Sequence, residues 1–249
     1  MRITRIIIVR TNFLRLTAAA AIVSSAVWAH YTWVMPAATV FEAGKPNKIT
    51  VAHGHRFPQS EEAITASQVK LYVLAPSGAK TDLKAASAGT SVTADFTPKE
   101  SGPHRIIFTQ DRGAMSRTPK GVKPGGRDKN PDATEAFSLL RTGVVYSGKG
   151  HKPAGLDAEL SAEPAANGSW QVQLLRTGKP VAGQTIQVVL NGQKDATDVG
   201  KTGADGKVTF KPAAASKAPV MFLAEFAEKA GAGSSIDERR FSVTLYVNW

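Results

Sequence analysis

The chain contains no cysteine. That excludes disulfides, thiolate metal sites and acylation of a cysteine at a leader cut, so stability must come from packing and any metal from nitrogen and oxygen donors. Charge is absent from one long stretch: after Arg15, no Asp, Glu, Lys or Arg occurs until Glu42. Helical periodicity is absent as well, because no window beyond the first residues sustains apolar side chains at helical spacing over three turns. No glycine-rich phosphate loop, Ser/His/Asp order or pair of catalytic carboxylates can be picked out. These absences favour a binding protein over an enzyme.

What is present begins with the leader. Arg2, Arg5, Arg10 and Arg15 precede an uncharged run from Leu16 to Trp28, and Val27 and Ala29 are the small residues expected before a signal-peptidase cut. The pattern predicts a signal peptide over residues 1–29 and a mature chain of 220 residues starting at His30. The stretch meets His30, Thr32 and Pro36 before completing the roughly 20 apolar residues of a membrane span, so no transmembrane segment is expected in the mature chain. Export without cysteine suits a bacterial periplasm. Removing the four leader arginines lowers the formal charge from +11 to +7. That excess is scattered and lacks interleaved aromatics, which argues against nucleic acid as a partner.

The rest of the chain is strand-like. Twelve runs rich in Val, Ile, Leu, Phe and Tyr (31–41, 47–52, 69–75, 91–96, 104–109, 137–146, 156–162, 170–176, 185–191, 207–210, 220–226 and 240–248) are separated by Gly, Pro, Ser and Asn. Turns such as Ala-Asp-Gly at 204–206 supply the backbone geometry of hairpins. This rhythm predicts an all-β protein of β-sandwiches. A polar stretch at 148–155 reads as a linker between a first sandwich, 30–147, and a second, 156–249. Within the first, residues 111–135 hold four glycines, three prolines and a cluster of Lys and Arg with few apolar residues, and read as a long basic loop without regular structure.

The opening HYTWVMPAATVFEAGKP, with His30, Tyr31, Trp33 and Pro36, and the following VAHGHRFPQ, with Gly54, His55, Phe57 and Pro58, resemble the DUF4198 family of exported bacterial proteins. The segments SGPHRIIF, LDAELSAEP, TGKPVAGQTIQVVL and TGADGKVTF extend the resemblance over nearly all of the mature chain. The second half by itself is similar to Ig-like or transthyretin-like modules. Family members are often labelled periplasmic components of nickel or cobalt uptake. The resemblance therefore implies a metal ion as ligand and an inner-membrane metal transporter as partner.

The residues themselves point to a metal at His30, His53 and His55. Cleavage would give His30 a free α-amine, with a pKa of about 7.7–8.0, that can chelate together with its ring. His53 and His55 flank Gly54, so an extended strand sends both to one face. A hairpin turning at Gly44–Lys45 pairs residue i with about 89 − i and brings the start of the first strand beside His55. Nitrogen ligation suits Ni, Co, Cu or Zn, with intrinsic affinity highest for Cu(II). No carboxylate is expected beside the pair, Glu61 and Glu62 being the nearest. His104 is expected at the opposite end in a structural role, and His151 in the linker. Two other readings fit the same residues: a copper oxygenase built on an N-terminal His, and a metal-free Ig-like adhesive or carrier protein in which these histidines are rim residues.

Overall fold

A computed structural model describes residues 30–148, 152–212 and 218–248. The proposed signal peptide and His151 lie outside the described residues, as do residues 149 and 150 of the proposed linker. Among the described residues the chain is all-β, with two single-turn 3-10 helices and seventeen strands, numbered here in chain order.

The strands form three stacked sheets. One outer sheet has the order β1-β2-β6-β5: β1 (Tyr31–Pro36), β2 (Asn47–Gly54), β6 (Ser91–Phe96) and β5 (Ala86–Ala88). The other outer sheet is built on β11 (Trp170–Arg176), flanked by β10 (Ala158–Pro164), β12 (Lys179–Pro180) and β15 (Lys207–Phe210). Between them runs a nine-stranded sheet. It contains β3 (Lys70–Leu74), β4 (Lys80–Asp82), β7 (His104–Thr118), β8 (Gly121–Pro124) and β9 (Glu135–Ser147). Its other strands are β13 (Thr185–Leu190), β14 (Thr197–Lys201), β16 (Val220–Lys229) and β17 (Glu238–Val247). The order is β14-β13-β16-β17-β9-β7-β3-β4, with β8 on β7.

The alternation of side chains explains the layering, since neighbouring residues of a central strand face opposite outer sheets. Ile106 and Phe108 of β7 join a core with Trp33, Ile49, Val51 and Phe57, whereas Ile107 joins Leu160, Val172 and Leu174 on the other side. β17 divides in the same way, with Tyr246 in the first core and Val243, Leu245 and Val247 in the second. Phe57 and Trp33 are fully buried and meet edge to face at 5.8 Å. Burying a side chain the size of Phe57 contributes about 1.5–3 kcal/mol.

The stretch 148–155 separates the two outer sheets, one built from residues before it and the other from residues after it. The central sheet takes strands from both sides. β9 and β17 pair in parallel from Phe137↔Glu238 to Val145↔Tyr246, which joins the two halves in one continuous sheet.

Residues 111–135 are not the unstructured loop expected from their composition. β7 runs on through a bulge between Asp111 and Ala114, pairs with β8, and regains its pairing with β9 from Ala114 to Arg117. The turn beyond β8 is held by polar bonds instead of apolar packing. Arg127 grips Asp237 with Nε and Nη2 at 2.9 and 2.8 Å and donates from Nη1 to the Ala133 carbonyl at 2.6 Å. The Asn130 amide donates to the Pro124 carbonyl at 3.0 Å.

Candidate metal centre

β1 and β2 set Tyr31 opposite Gly54 and Thr32 opposite His53. The observed register sum is four less than expected, and it carries the start of β1 directly to His55. The His30 and His55 rings lie with centroids 4.0 Å apart, and the His30 and His53 rings 5.7 Å apart. His30, His53 and His55 are thus brought together at one end of the outer sheet.

His53 is held from behind. Its Nδ1 lies 2.9 Å from the Tyr31 carbonyl oxygen and 2.9 Å from the Thr32 hydroxyl oxygen. An Nδ1–H donated to that carbonyl leaves the Nε2 lone pair facing outward, the tautomer that a metal-binding imidazole needs. Burial, and next the charge of Arg141, push the imidazole down to about 4, against the Tyr31 hydrogen bond and the nearby Glu62. At neutral pH the ring is uncharged and able to ligate.

The carboxylate thought absent from this pair is present, because the chain after β2 folds back on itself. Gly54, at φ +150°, sits so close to Glu61 that an added Cβ would come within 3.0 Å of the Glu61 Cβ. The Glu61 carboxylate accepts from the backbone N–H groups of His55 and Arg56 at 2.9 and 3.0 Å, which holds it below the usual carboxylate range. The N–H groups of Glu61 and Glu62 both donate to the His53 carbonyl, at 2.9 and 3.1 Å. This fold-back turns the Glu62 side chain to the histidines. One of its oxygens contacts His30 Nε2, and the other lies 3.8 Å from His53 Nε2. Ligand atoms of His30, His55 and Glu62 all lie within 4.8 Å of one another. The histidine and glutamate side chains are of types that fit Zn, Ni, Co or Cu.

Two other expectations concern the surroundings. His104 sits at the opposite end of β7, 1% exposed, its ring against Phe41 and Phe96 and its Nδ1 2.9 Å from the Gly102 carbonyl. Tyr31, Trp33 and Phe57, aromatics within three residues of these histidines, are buried in the core. Sequence reasoning missed Glu62 as a contact and Arg141 as a neighbour. Glu62 had a signal in its closeness along the chain, whereas Arg141 had none.

Residues 27–217 match the family model of DUF4198, a domain of unknown function. The chain belongs to the DUF4198 family. For this DUF4198 protein, a search of curated proteins finds no match. Among solved structures it resembles a DUF4785 family protein from Legionella pneumophila at 11% identity, over 77% of this chain and 51% of that one, with a TM-score of 0.29. It therefore spans about half the length of that protein. It also resembles an alpha-2-macroglobulin from Salmonella (12% identity, 88% of this chain, 15% of that one, TM-score 0.27). A third likeness is to the D0-D1 domain of Intimin (13% identity, 87% and 97%, TM-score 0.22). Likenesses this weak carry no argument about what the DUF4198 protein does. No helix among the described residues is long and apolar enough to cross a membrane.

Proposed function

We propose that this DUF4198 protein is an exported accessory protein that binds one divalent transition metal through His30, His53, His55 and Glu62. The reading rests on one observation above all: Glu62 is folded back onto His30 and His53, while the Tyr31 carbonyl fixes the tautomer of His53. A rim histidine with no ligand to hold needs neither arrangement. Cleavage after Ala29 adds the amine of His30 to the donor set. Nickel or cobalt is favoured by the labels attached to the family, and copper by intrinsic affinity. Delivery to an inner-membrane transporter from the periplasm is the role such a centre serves.

Calorimetry tests the reading on protein that begins at His30, titrated with Ni(II), Co(II), Cu(II) and Zn(II). One equivalent of metal should bind, and His55→Ala and Glu62→Gln should each weaken binding at least tenfold. One added residue ahead of His30 should weaken it as much as His53→Ala. Absence of binding by all four metals, or equal affinity in the His55 and Glu62 variants, would return the cluster to an ordinary His–Glu ion pair in a metal-free protein.

A further inference from the structure

The central sheet carries an unusual row beneath this centre. Cross-strand register sets Gln110 of β7 beside Arg141 of β9, Arg141 beside Ser242 of β17, and Ser242 beside Glu225 of β16. The adjacent row on the same face is Phe108, Gly143 and Thr244, one pleat repeat away, or about 6.5–7 Å. Thr244 donates from Oγ1 to the Thr32 carbonyl at 2.7 Å, so that neighbouring row touches the strand bearing the His53 partners.

Arg141 is 8% exposed, and among the described residues its only hydrogen bond runs from Nη1 to the neutral Gln110 side chain at 3.0 Å. Among the described residues its Nε is buried without a partner, and no carboxylate forms an ion pair with it. A buried guanidinium left in this state is costly, because nothing repays its lost hydration. The bulge at Asp111–Ala114 makes the local charge more positive still, since it brings Arg112 near enough for its charge to act on Arg141. Glu225 and Glu62 are the acidic groups that act on it from a distance. A buried guanidinium whose charge reaches the His53 imidazole, with Nε unfilled and Arg112 as a second cation beside it, makes an anion receptor near the metal ligands.

We propose that the centre takes its metal together with a small chelating carboxylate, whose free oxygens are held by the Arg141 guanidinium with Arg112 as the second cation. The proposal rests on the metal reading above. A metal that accepts more donors than these side chains supply has positions left for outside oxygens. A polycarboxylate can fill those positions and still present a carboxylate to the planar donor fork of Arg141.

Equilibrium dialysis with radiolabelled citrate as the probe tests this, using protein beginning at His30, with and without one equivalent of Ni(II), and with inorganic phosphate as competitor. Loaded wild-type protein should retain one citrate per metal, at least tenfold more tightly than the metal-free protein. Arg141→Met should lose citrate retention at least tenfold and keep its affinity for Ni(II) alone. Arg112→Ala, at an exposed position that leaves the fold intact, should lose a smaller share, and Arg141→Lys should recover part of it. Citrate retention unchanged in both Arg141→Met and Arg112→Ala overturns the proposal, and so does displacement of citrate by equimolar phosphate. Citrate bound through Arg141 with no metal bound under any condition overturns the metal reading and the joint ligand together. Ni(II) binding with no citrate retained overturns the joint ligand alone.

Discussion

Thr244 Oγ1 donates a 2.7 Å hydrogen bond to the Thr32 carbonyl across 212 residues of chain. Both residues are about 1% exposed, so this bond ties β1 to the central sheet in a dry layer. The same Thr32 presents its hydroxyl to His53, which makes the anchoring of β1 part of the construction of the centre.

Thr244→Val keeps the shape of the side chain and removes the donor. A buried carbonyl left unsatisfied costs about 1–3 kcal/mol. The urea midpoint should fall by that free energy divided by an unchanged m-value. A midpoint within error of wild type would show that β1 is held by its apolar contacts alone.

Glu61 is not a ligand, yet it shapes the fold-back that presents Glu62. Glu61→Ala leaves the His55 and Arg56 N–H groups to solvent and should leave global stability close to that of wild type, as expected for an exposed site. Metal affinity should drop about tenfold or more, the usual cost of losing a supporting group behind a ligand. Titration calorimetry reads the difference, and unchanged affinity would mean that the loop holds its shape without the carboxylate.

Protonation of His53 should make the metal-free protein sensitive to acid. Its folded value of about 4 lies below the unfolded value of about 6.5, so between these the unfolded chain binds the extra proton. Stability is fully present above pH about 6.5 and falls as the pH drops toward 4, by roughly 3 kcal/mol at most. The groups acting on the ring are Arg141, Glu62 and His30 together with the Tyr31 carbonyl. His53→Gln should flatten this part of the profile in urea melts at pH 7.5, 6, 5 and 4.5. An equally steep fall in the variant would assign the acid sensitivity to other groups.

The turn between β8 and β9 should open locally when its polar clamp is removed. Arg127→Ala loses the paired contact with Asp237 and the bond to Ala133. Trypsin should then cut at Lys129 several times faster, while the thermal midpoint moves by no more than a few degrees, because only a surface unit is released. A cutting rate equal to wild type would place the stability of the turn in Asn130 and the β7–β8 pairing.

Much of this architecture was legible in the sequence because apolar alternation is a local signal. All twelve expected strands exist, and 91–96, 170–176 and 207–210 match to the residue. The strands missed were short and solvent-facing, such as β4 and β5, whose residues are all exposed and give no apolar pattern to read. β8 and the extension of β7 were missed for another reason: they are stabilised by pairing and by Arg127 and Asn130, and composition does not report hydrogen bonds. The meeting of the His30, His53 and His55 rings could be expected because one hairpin and one His-x-His repeat bring them together. Glu62 needed the fold-back at Gly54. Arg141 needed the register of β7, β9 and β17, which joins residues over a hundred positions apart and leaves no trace in any short window.

The parallel pairing of β9 with β17 also fixes when the molecule can be finished. β17 is the last strand among the described residues, and it lies at the middle of the widest sheet, with β16 on one side and β9 on the other. Contacts that close loops this long form late, because the entropy of closure must be met before they return anything. A chain growing from its N-terminus can form the β1–β2 hairpin early and set it on β3, β7 and β9, but the part of the floor that carries Thr244 is missing until β17 has emerged. The histidine-bearing hairpin therefore waits for a partner 212 residues further along, and a chain cut short before β17 carries all three histidines without the Thr244 anchor beneath them.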